Sequence, residues 1–306
     1  MEGGSRGVVI AAFFANLGIA VAKFAGFLIT GAASMLAEAV HSVADTGNQG
    51  LLLLGGSRAQ RRASEEHPFG YGRERYFWAF IVAMILFSIG GLFAIYEGIE
   101  RLRHPHEPEN LIVAVGILLL AIALESVALT KAVKEANKLR GSRTWWGFIR
   151  HSKSPEVPVV LLEDIGAELG LFMALGGIAM ARITDNARWD AAGSLGIGVL
   201  LVVIAAVLAV EMKSLLIGES AGPRDLETIR TTIESSPQVE KLIHLRTQHL
   251  GPDELLVGAK LEMHDSLSFD QVAAAIDATE QRLRAALPSA RVVYLEPDVA
   301  RPEPAP

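Results

Sequence analysis

The sequence contains no cysteine, which excludes both a disulfide framework and a metal site built on thiolates. Charged residues make up only 20% of the 306 positions, and aromatic residues only 7%. The formal net charge of −6 is modest and gives no indication of a nucleic-acid partner. What the chain has in excess is apolar sequence, since 51% of its residues are hydrophobic and the mean hydropathy is +0.34. This composition predicts an α-helical protein that crosses a lipid bilayer several times.

The apolar residues are concentrated before residue 211, in stretches close to the roughly 20 residues that cross a bilayer as a helix. Two of the stretches contain polar residues and would score weakly in a hydropathy window. We predict six transmembrane helices, over 7–30, 33–56, 76–99, 111–133, 157–181 and 188–210.

Composition divides the chain into three predicted segments. Residues 1–210 form the transmembrane domain, and residues 211–297 read as an ordinary soluble domain of the α/β type. Residues 298–306 form a proline-rich tail that we expect to be disordered. The first 30 residues do not resemble a signal peptide, because Arg6 is the only early basic residue and the apolar run is too long.

Basic residues alternate between the predicted connections. Segments 57–75 and 131–156 carry five and seven Lys or Arg residues, whereas 31–32, 100–110 and 182–187 carry none, two and one. Because basic loops stay on the cytoplasmic side, this pattern places both termini and the C-terminal domain in the cytoplasm. The short loops, and an N-terminus without an Arg/Ser-rich transit pattern, favour a bacterial inner membrane.

The second predicted span is interrupted by a polar stretch, "EAVHSVADTGNQG". His41 and Asp45 within it are four residues apart, so a helix places both on one face. Ionisable groups at bilayer depth usually face a bundle interior or a wet cavity. Glu38 lies one turn earlier, and Asn48 and Gln49 lie about one turn later, where we expect them to support the pair.

The fifth predicted span, "PVVLLEDIGAELGLFMALGG", offers a second pair, Asp164 and Glu168, also four residues apart. Glu163 neighbours Asp164 but points about 100° away around the helix. Two such helices supply four ligands around one point, and one imidazole with three carboxylates suits a divalent cation. Without a cation or bound protons, the three carboxylates would repel one another strongly. The sequence therefore predicts a metal site formed by His41, Asp45, Asp164 and Glu168.

The other polar residues of the spans are predicted to be structural: Asn16, Lys23, Glu125 and Asp190. Glu125 is the best candidate among them for a supporting or proton-relay role. Two alternatives stay open at this point. In one, the polar pairs only hold helices together in a receptor or scaffold, and in the other they belong to an intramembrane metal-dependent enzyme. The spans contain neither an HExxH nor a GxSxG motif, which argues against the enzyme.

The strings "HSVAD" and D-x-x-x-E, six spans and a C-terminal domain resemble the cation diffusion facilitator family. "HSVADTGNQGLLLLG", "HPFGYGRERYFW" and "VVLLEDIGA" are similar to the branch that contains the animal mitochondrial zinc transporter. The resemblance implies a transporter rather than an enzyme, exporting Zn²⁺ and related divalent ions in exchange for protons, without a prosthetic group. It also implies that His41, Asp45, Asp164 and Glu168 bind the transported ion.

The sequence departs from better-known zinc exporters of that family. It has Asp164 where they have His, and Glu168 where they have Asp. Zn²⁺ is the first choice of ion. Because a site with one imidazole and three carboxylates is a chemically harder set of ligands, Mn²⁺, Fe²⁺, Co²⁺ and Ni²⁺ are alternatives. After the second span only His67 remains of a second metal site found in some relatives, and we expect a structured turn there.

The C-terminal domain shows the order α-β-β-α-β, which permits a three-stranded sheet with two helices on one face. The resemblance implies a ferredoxin-like, metallochaperone-like shape that forms a homodimer. Lys260, Tyr294 and Glu296 occupy positions near the zinc ligands of some relatives, so regulatory metal is not expected. We predict surface positions for three histidines, His244, His249 and His264. The predicted helices and strands are 222–236, 240–248, 254–263, 268–287 and 291–296.

Overall fold

The computed structural model of the protein describes residues 3–105 and 110–300, and the side chains of residues 17–105 and 110–300. The chain forms two compact units. A helical unit comprises Met1–Ser57 and Arg75–Lys213, and an α/β unit comprises Arg58–Glu74 and Ser214–Pro306. The limits predicted from composition stay predictions, and the α/β unit includes the loop that follows the second helix.

Long helices make up the helical unit, and each of the six predicted ranges lies inside one continuous helical stretch of the described chain. A π-helical segment, Leu86–Leu92, joins the third and fourth helices into one stretch. The helices are α1 Gly3–Thr30, α2 Ala33–Ala59, α3 Glu74–Ile85, α4 Phe93–Arg103, α5 Leu111–Arg140, α6 Trp145–His151, α7 Glu156–Thr184 and α8 Arg188–Ile217.

Within the described residues, three helical stretches are long and apolar enough to cross a membrane by length and composition: Glu74–Arg103, Leu111–Arg140 and Arg188–Ile217. Helix α2 is less apolar because its sequence includes polar residues, which are buried together with alanines, Met35 and Leu52. Those polar residues are Ser34, Glu38, His41, Ser42, Thr46 and Asn48. A helix that buries polar groups on this scale faces other helices rather than lipid.

Glycines allow α8 to approach its neighbours closely. A Cβ atom on Gly198 would lie 2.7 Å from the backbone nitrogen of Ile95 and 2.9 Å from the carbonyl oxygen of Gly91. A Cβ atom on Gly177 of α7 would lie 2.9 Å from the carbonyl oxygen of Trp189. Small residues at such crossings bring helix backbones into contact, which is a common way to pack helices in membranes.

The first turn of α2 is capped by a carboxylate from α8. Asp190 accepts hydrogen bonds from the backbone nitrogens of Ala33 (2.7 Å) and Ser34 (3.4 Å), and a short one from the Ser34 hydroxyl. The tight connection before α2 uses Gly31 in the left-handed region, with φ of 65°. The cap satisfies backbone donors that have no partner within a helix, so the structural role predicted for Asp190 has a physical basis.

We expect Asp190→Ala to destabilise the protein, because it leaves the buried N–H groups of Ala33 and Ser34 without acceptors. An unsatisfied buried donor costs about 1–3 kcal/mol. Thermal unfolding of the purified chain in detergent should show a lower midpoint. The matched control is Asp277→Ala on an exposed helix face of the α/β unit. Equal midpoints for the two variants would show that the cap contributes nothing.

The α/β unit has the predicted α-β-β-α-β order. Its sheet contains β1 Val239–Gly251, β2 Glu254–Met263 and β3 Ala290–Pro297 in this order, with β1 antiparallel to β2 and β2 parallel to β3. The core joins Ile229, Ile233 and Leu283 from the helices to Leu255 and Val257 from the central strand. The two helices are α9 Pro223–Glu234, before the sheet, and α10 Phe269–Ala286, between β2 and β3.

The surface position predicted for His249 is wrong, whereas His244 and His264 are exposed as expected. Strand β1 continues to Gly251 instead of ending at residue 248, so His249 lies within the sheet. Its side chain is buried, and its backbone N–H donates to the carbonyl oxygen of Glu219.

Ion pairs join β3 and the residue just after it to the neighbouring strand β2. Lys260 Nζ lies 2.9 Å from Asp298 Oδ2 and 3.2 Å from Glu296 Oε1, and these hydrogen bonds raise the pKa of Lys260. Ala300 N donates to Glu262 Oε1 at 3.0 Å. Residues 301–306 of the predicted tail lie outside the described residues.

The loop that contains His67 is a structured turn. The His67 ring packs on the Tyr71 ring with centroids 4.6 Å apart, and the Ser64 and Tyr71 hydroxyls are 3.1 Å apart. Gly72 is pressed against β1, because a Cβ there would lie 2.7 Å from the Leu250 carbonyl oxygen. These contacts agree with the structural role expected for "HPFGYGRERYFW".

Candidate metal transport site

Helix α2 places His41 and Asp45 on one buried face, as their spacing predicts. His41 Nε2 lies 3.4 Å from Asp45 Oδ2, and the His41 side chain is fully buried. Among the described residues, neither imidazole nitrogen nor Asp45 Oδ1 has a hydrogen-bond partner. Buried polar atoms normally have partners. Within the described part of the chain, these three atoms are therefore available to a bound ligand.

Helix α7 presents the second pair, which is only partly buried. Glu168 Oε1 accepts a hydrogen bond from the Ser126 hydroxyl of α5 at 2.8 Å, and Glu168 Oε2 is buried without a partner in the described part. Asp164 lies within electrostatic range of Glu125, also on α5. The pair therefore lies along α5, and one oxygen of Glu168 is positioned by Ser126.

The structure does not close the two pairs around one point. Among the residues that it describes, no group of three or more His, Asp or Glu side chains is arranged to hold a metal ion. Asp45 lies within electrostatic range of both Asp164 and Glu163. Asp164 of the second pair thus lies in the same region of the bundle as Asp45, and the four-ligand site stays a prediction.

Glu163 makes a contact with α2 that its position in the sequence does not predict. Its side chain is buried, and its Oε1 accepts a 2.8 Å hydrogen bond from Asn48 Nδ2. Asn48 lies three residues after Asp45, on the same face, which is the signal that predicts its supporting role. Nothing in the α7 sequence signals that Glu163 rather than Asp164 makes this contact. The bond joins the two helices beside the predicted ligands.

Lys23 of α1 is buried beside the same helix. Its Nζ contacts Glu38, Ser42 and Glu125, and these four residues are called the Lys23 cluster below. The sequence indicates that this lysine needs a partner, because it lies in an apolar run, but does not identify one. The side chain of Asn16 lies outside the described residues.

The π-helical segment passes close to His41. A Cβ on Gly90 would lie 3.9 Å from His41 Nδ1. π-helical segments are rare and are frequent at functional sites. Glycine at this position brings the backbone of the irregular segment next to the imidazole.

Fold and site together define a class: a multi-pass helical membrane protein with a buried imidazole–carboxylate pair and a separate α/β unit. Residues 9–217 match the family described as the cation efflux transmembrane domain, and residues 221–298 match the cation efflux protein cytoplasmic domain. The chain belongs to the cation efflux family, which confirms the resemblance to the cation diffusion facilitators.

Individual relatives carry names of the same kind. The chain is 34% identical to the mouse (Mus musculus) mitochondrial proton-coupled zinc antiporter SLC30A9 over 242 residues, which is 78% of the chain and 43% of that relative. It is 27% identical to metal tolerance protein C4 of Arabidopsis thaliana over 86% of the chain and 58% of the relative. It is 27% identical to the cation-efflux pump FieF of Escherichia fergusonii over 94% of the chain and 91% of the relative.

The chain spans less than half the length of the mouse antiporter. The family descriptions and the names of these relatives refer to cation efflux, antiport or metal tolerance, and none refers to an enzyme. The prediction of a transporter rather than an enzyme is confirmed at the level of the family.

Proposed function

We propose that the protein exports a divalent metal cation across a membrane in exchange for protons, with Zn²⁺ as the first candidate. The observation that carries the proposal is the buried His41–Asp45 pair, whose polar atoms include three without a hydrogen-bond partner among the described residues of a helical unit of the cation efflux family. The mouse relative is named a proton-coupled zinc antiporter. Mn²⁺, Fe²⁺, Co²⁺ and Ni²⁺ are the alternative ions, because carboxylates outnumber imidazoles among the proposed ligands.

The proposal includes a topology. Six spans place both termini on the cytoplasmic side, and the α/β unit joins two copies into a homodimer. The alternating basic connections support this orientation. The family that residues 221–298 match is described as the cytoplasmic domain of cation efflux proteins. A bacterial inner membrane is the proposed location, and FieF of Escherichia fergusonii is a bacterial relative that the chain covers almost completely.

The ligand chemistry itself couples metal to protons. The ion enters from the cytoplasm and is bound by His41, Asp45, Asp164 and Glu168. An imidazole and carboxylates must be deprotonated to ligate, so metal binding releases protons. Protons that arrive from the opposite side then displace the metal. No separate proton channel is required for this exchange.

Binding also requires movement, because the described arrangement does not bring the two pairs around one point. Helices α2 and α7 carry the pairs, and the Asn48–Glu163 bond already links them. Ser126 fixes one oxygen of Glu168. Groups of this kind orient the ligands of a metal, and their loss typically lowers metal affinity about 10–100-fold.

Reconstituted vesicles test the proposal directly. Each of the five cations is added to one side, and proton movement and metal accumulation are recorded together. Coupled, vectorial fluxes of opposite direction support antiport. An enzyme would show turnover without vectorial flux, and a scaffold would show neither.

Asp164→His should shift selectivity towards Zn²⁺. The change adds an imidazole, a ligand that suits Zn²⁺ better than Mn²⁺. We expect the Zn²⁺/Mn²⁺ ratio of transport rates to rise by about tenfold, the order by which a single group near a metal changes affinity. Asp277→His, on an exposed face of α10, is the control. An unchanged ratio in Asp164→His would contradict the assignment of Asp164 as a ligand that sets selectivity.

A further inference from the structure

The Lys23 cluster holds a positive charge inside the helical unit. Lys23 Nζ lies 2.7 Å from Ser42 Oγ, 3.2 Å from Glu38 Oε2 and 3.7 Å from Glu125 Oε1. The side chains of Lys23 and Glu38 are 0% exposed. A buried ammonium is strongly unfavourable without compensating charges, and two carboxylates provide that compensation here. The cluster thereby connects α1, α2 and α5.

This charge adjoins the proposed metal ligands. Ser42 follows His41 in the chain, and Glu38 lies one turn before it, so Lys23 contacts the helical turns that carry the ligand pair. Both His41 and Asp45 lie within electrostatic range of the Lys23 ammonium. Lys23 donates to Glu38 and Ser42 and has no lone pair for a metal while it is charged.

Glu38 extends the cluster to α7. Its Oε1 is buried and has no hydrogen-bond partner among the described residues. That oxygen rests against Gly170, where an added Cβ would collide with it. Glu38 is therefore held between the Lys23 ammonium and the backbone of the helix that carries Asp164 and Glu168.

We propose that Lys23 is a built-in cation that lowers the affinity of the transport site for its metal ion, so that the ion can leave. The inference rests on the proposed function, because it assigns an affinity-setting residue to the same site. A fixed positive charge repels an arriving divalent cation, most strongly where the effective dielectric constant is low. Transport requires a site that binds strongly enough to load the ion and weakly enough to release it.

The rival role, a purely structural lock between helices, predicts a different result for one substitution. Lys23→Gln keeps a hydrogen-bond donor near Ser42 and Glu38 but removes the charge. An affinity-setting Lys23 predicts that Lys23→Gln binds Zn²⁺ at least about tenfold more tightly and releases it more slowly. A lock predicts unchanged or weaker binding. Lys23→Arg keeps the charge and should bind Zn²⁺ within a few-fold of the wild type.

Neutralising both Lys23 and Glu38 separates the effect of charge on Zn²⁺ affinity from the effect of packing. Glu38→Gln alone should weaken Zn²⁺ binding, since it leaves the Lys23 charge less compensated. The double variant Lys23→Gln/Glu38→Gln removes opposite charges and should return the affinity to near that of the wild type. The affinities are measured by calorimetric titration of the full chain in detergent with Zn²⁺ alone, and release is measured as flux in vesicles.

The outcomes distinguish a failure of the proposed function from a failure of the role assigned to Lys23. A wild-type chain that neither binds Zn²⁺ nor moves any of the five cations overturns the proposed function. A wild-type chain that binds Zn²⁺, together with a folded Lys23→Gln variant that binds no more tightly, overturns the role of Lys23 alone. If Lys23→Gln does not fold, a double variant that binds as weakly as Glu38→Gln overturns that role.

Discussion

Replacing Asp45 with alanine should abolish metal-driven proton flux, to at least about 100-fold below the wild type, since even indirect partners of a metal ligand change affinity about 10–100-fold. Asp45 Oδ1 has no hydrogen-bond partner in the described structure, and Oδ2 faces the His41 ring. Removing the carboxylate therefore breaks no hydrogen bond of the described structure. The loss should be one of function, with folding retained.

The measurement is proton flux in vesicles that contain the variant, with elution volume in detergent as the test of folding. Asp277→Ala supplies the same chemical change on an exposed helix face and should transport normally. Asp164→Ala is expected to behave like Asp45→Ala. Flux at the wild-type level in a folded Asp45→Ala protein would rule out the site on α2.

Gly198→Val should have the largest effect on folding. A Cβ at this position would lie 2.7 Å from the backbone nitrogen of Ile95 and 2.9 Å from the Gly91 carbonyl oxygen, so the obstruction is backbone that cannot rotate away. Overpacking typically costs 1–3 kcal/mol, and we expect about 3 kcal/mol or more here. The thermal midpoint should fall by roughly 10 °C, and much of the protein should be lost as aggregate.

Gly116→Val on α5 is the matched control, because no atom of another described element lies within 4 Å of its Cβ position. The two variants add the same atoms to helices of the same unit. A Gly198→Val protein as stable as Gly116→Val would show that α8 separates easily from the π-helical segment and α4, contrary to the close packing described.

The sequence predicts what depends on neighbouring residues in the chain. The six helical ranges follow from apolar runs, and the α-β-β-α-β order follows from periodicity and turns. The shared face of His41 and Asp45 follows from their four-residue spacing. The surface prediction for His249 failed because it required the end of a strand to within a few residues, which a local pattern does not give.

Contacts between helices were not predictable in the same way. Asn48 and Glu163 are 115 residues apart, and Lys23 and Glu38 lie on different helices. Each contact depends on how one helix is rotated about its axis relative to another, which no single segment encodes. Side chains on α7 such as Glu163 and Asp164 have similar chemistry, so spacing alone does not show which one faces α2.

The carboxylate of Asp190 has a consequence for the proposed placement of α2 in the bilayer. A helix end normally stays near the headgroups, because its free N–H groups need water. At Ala33 and Ser34 the two carboxylate oxygens of Asp190, on α8, take the place of water. If α2 spans the membrane as proposed, these two donors need neither water nor headgroups, and a position of this helix end within the hydrocarbon leaves neither of them unsatisfied.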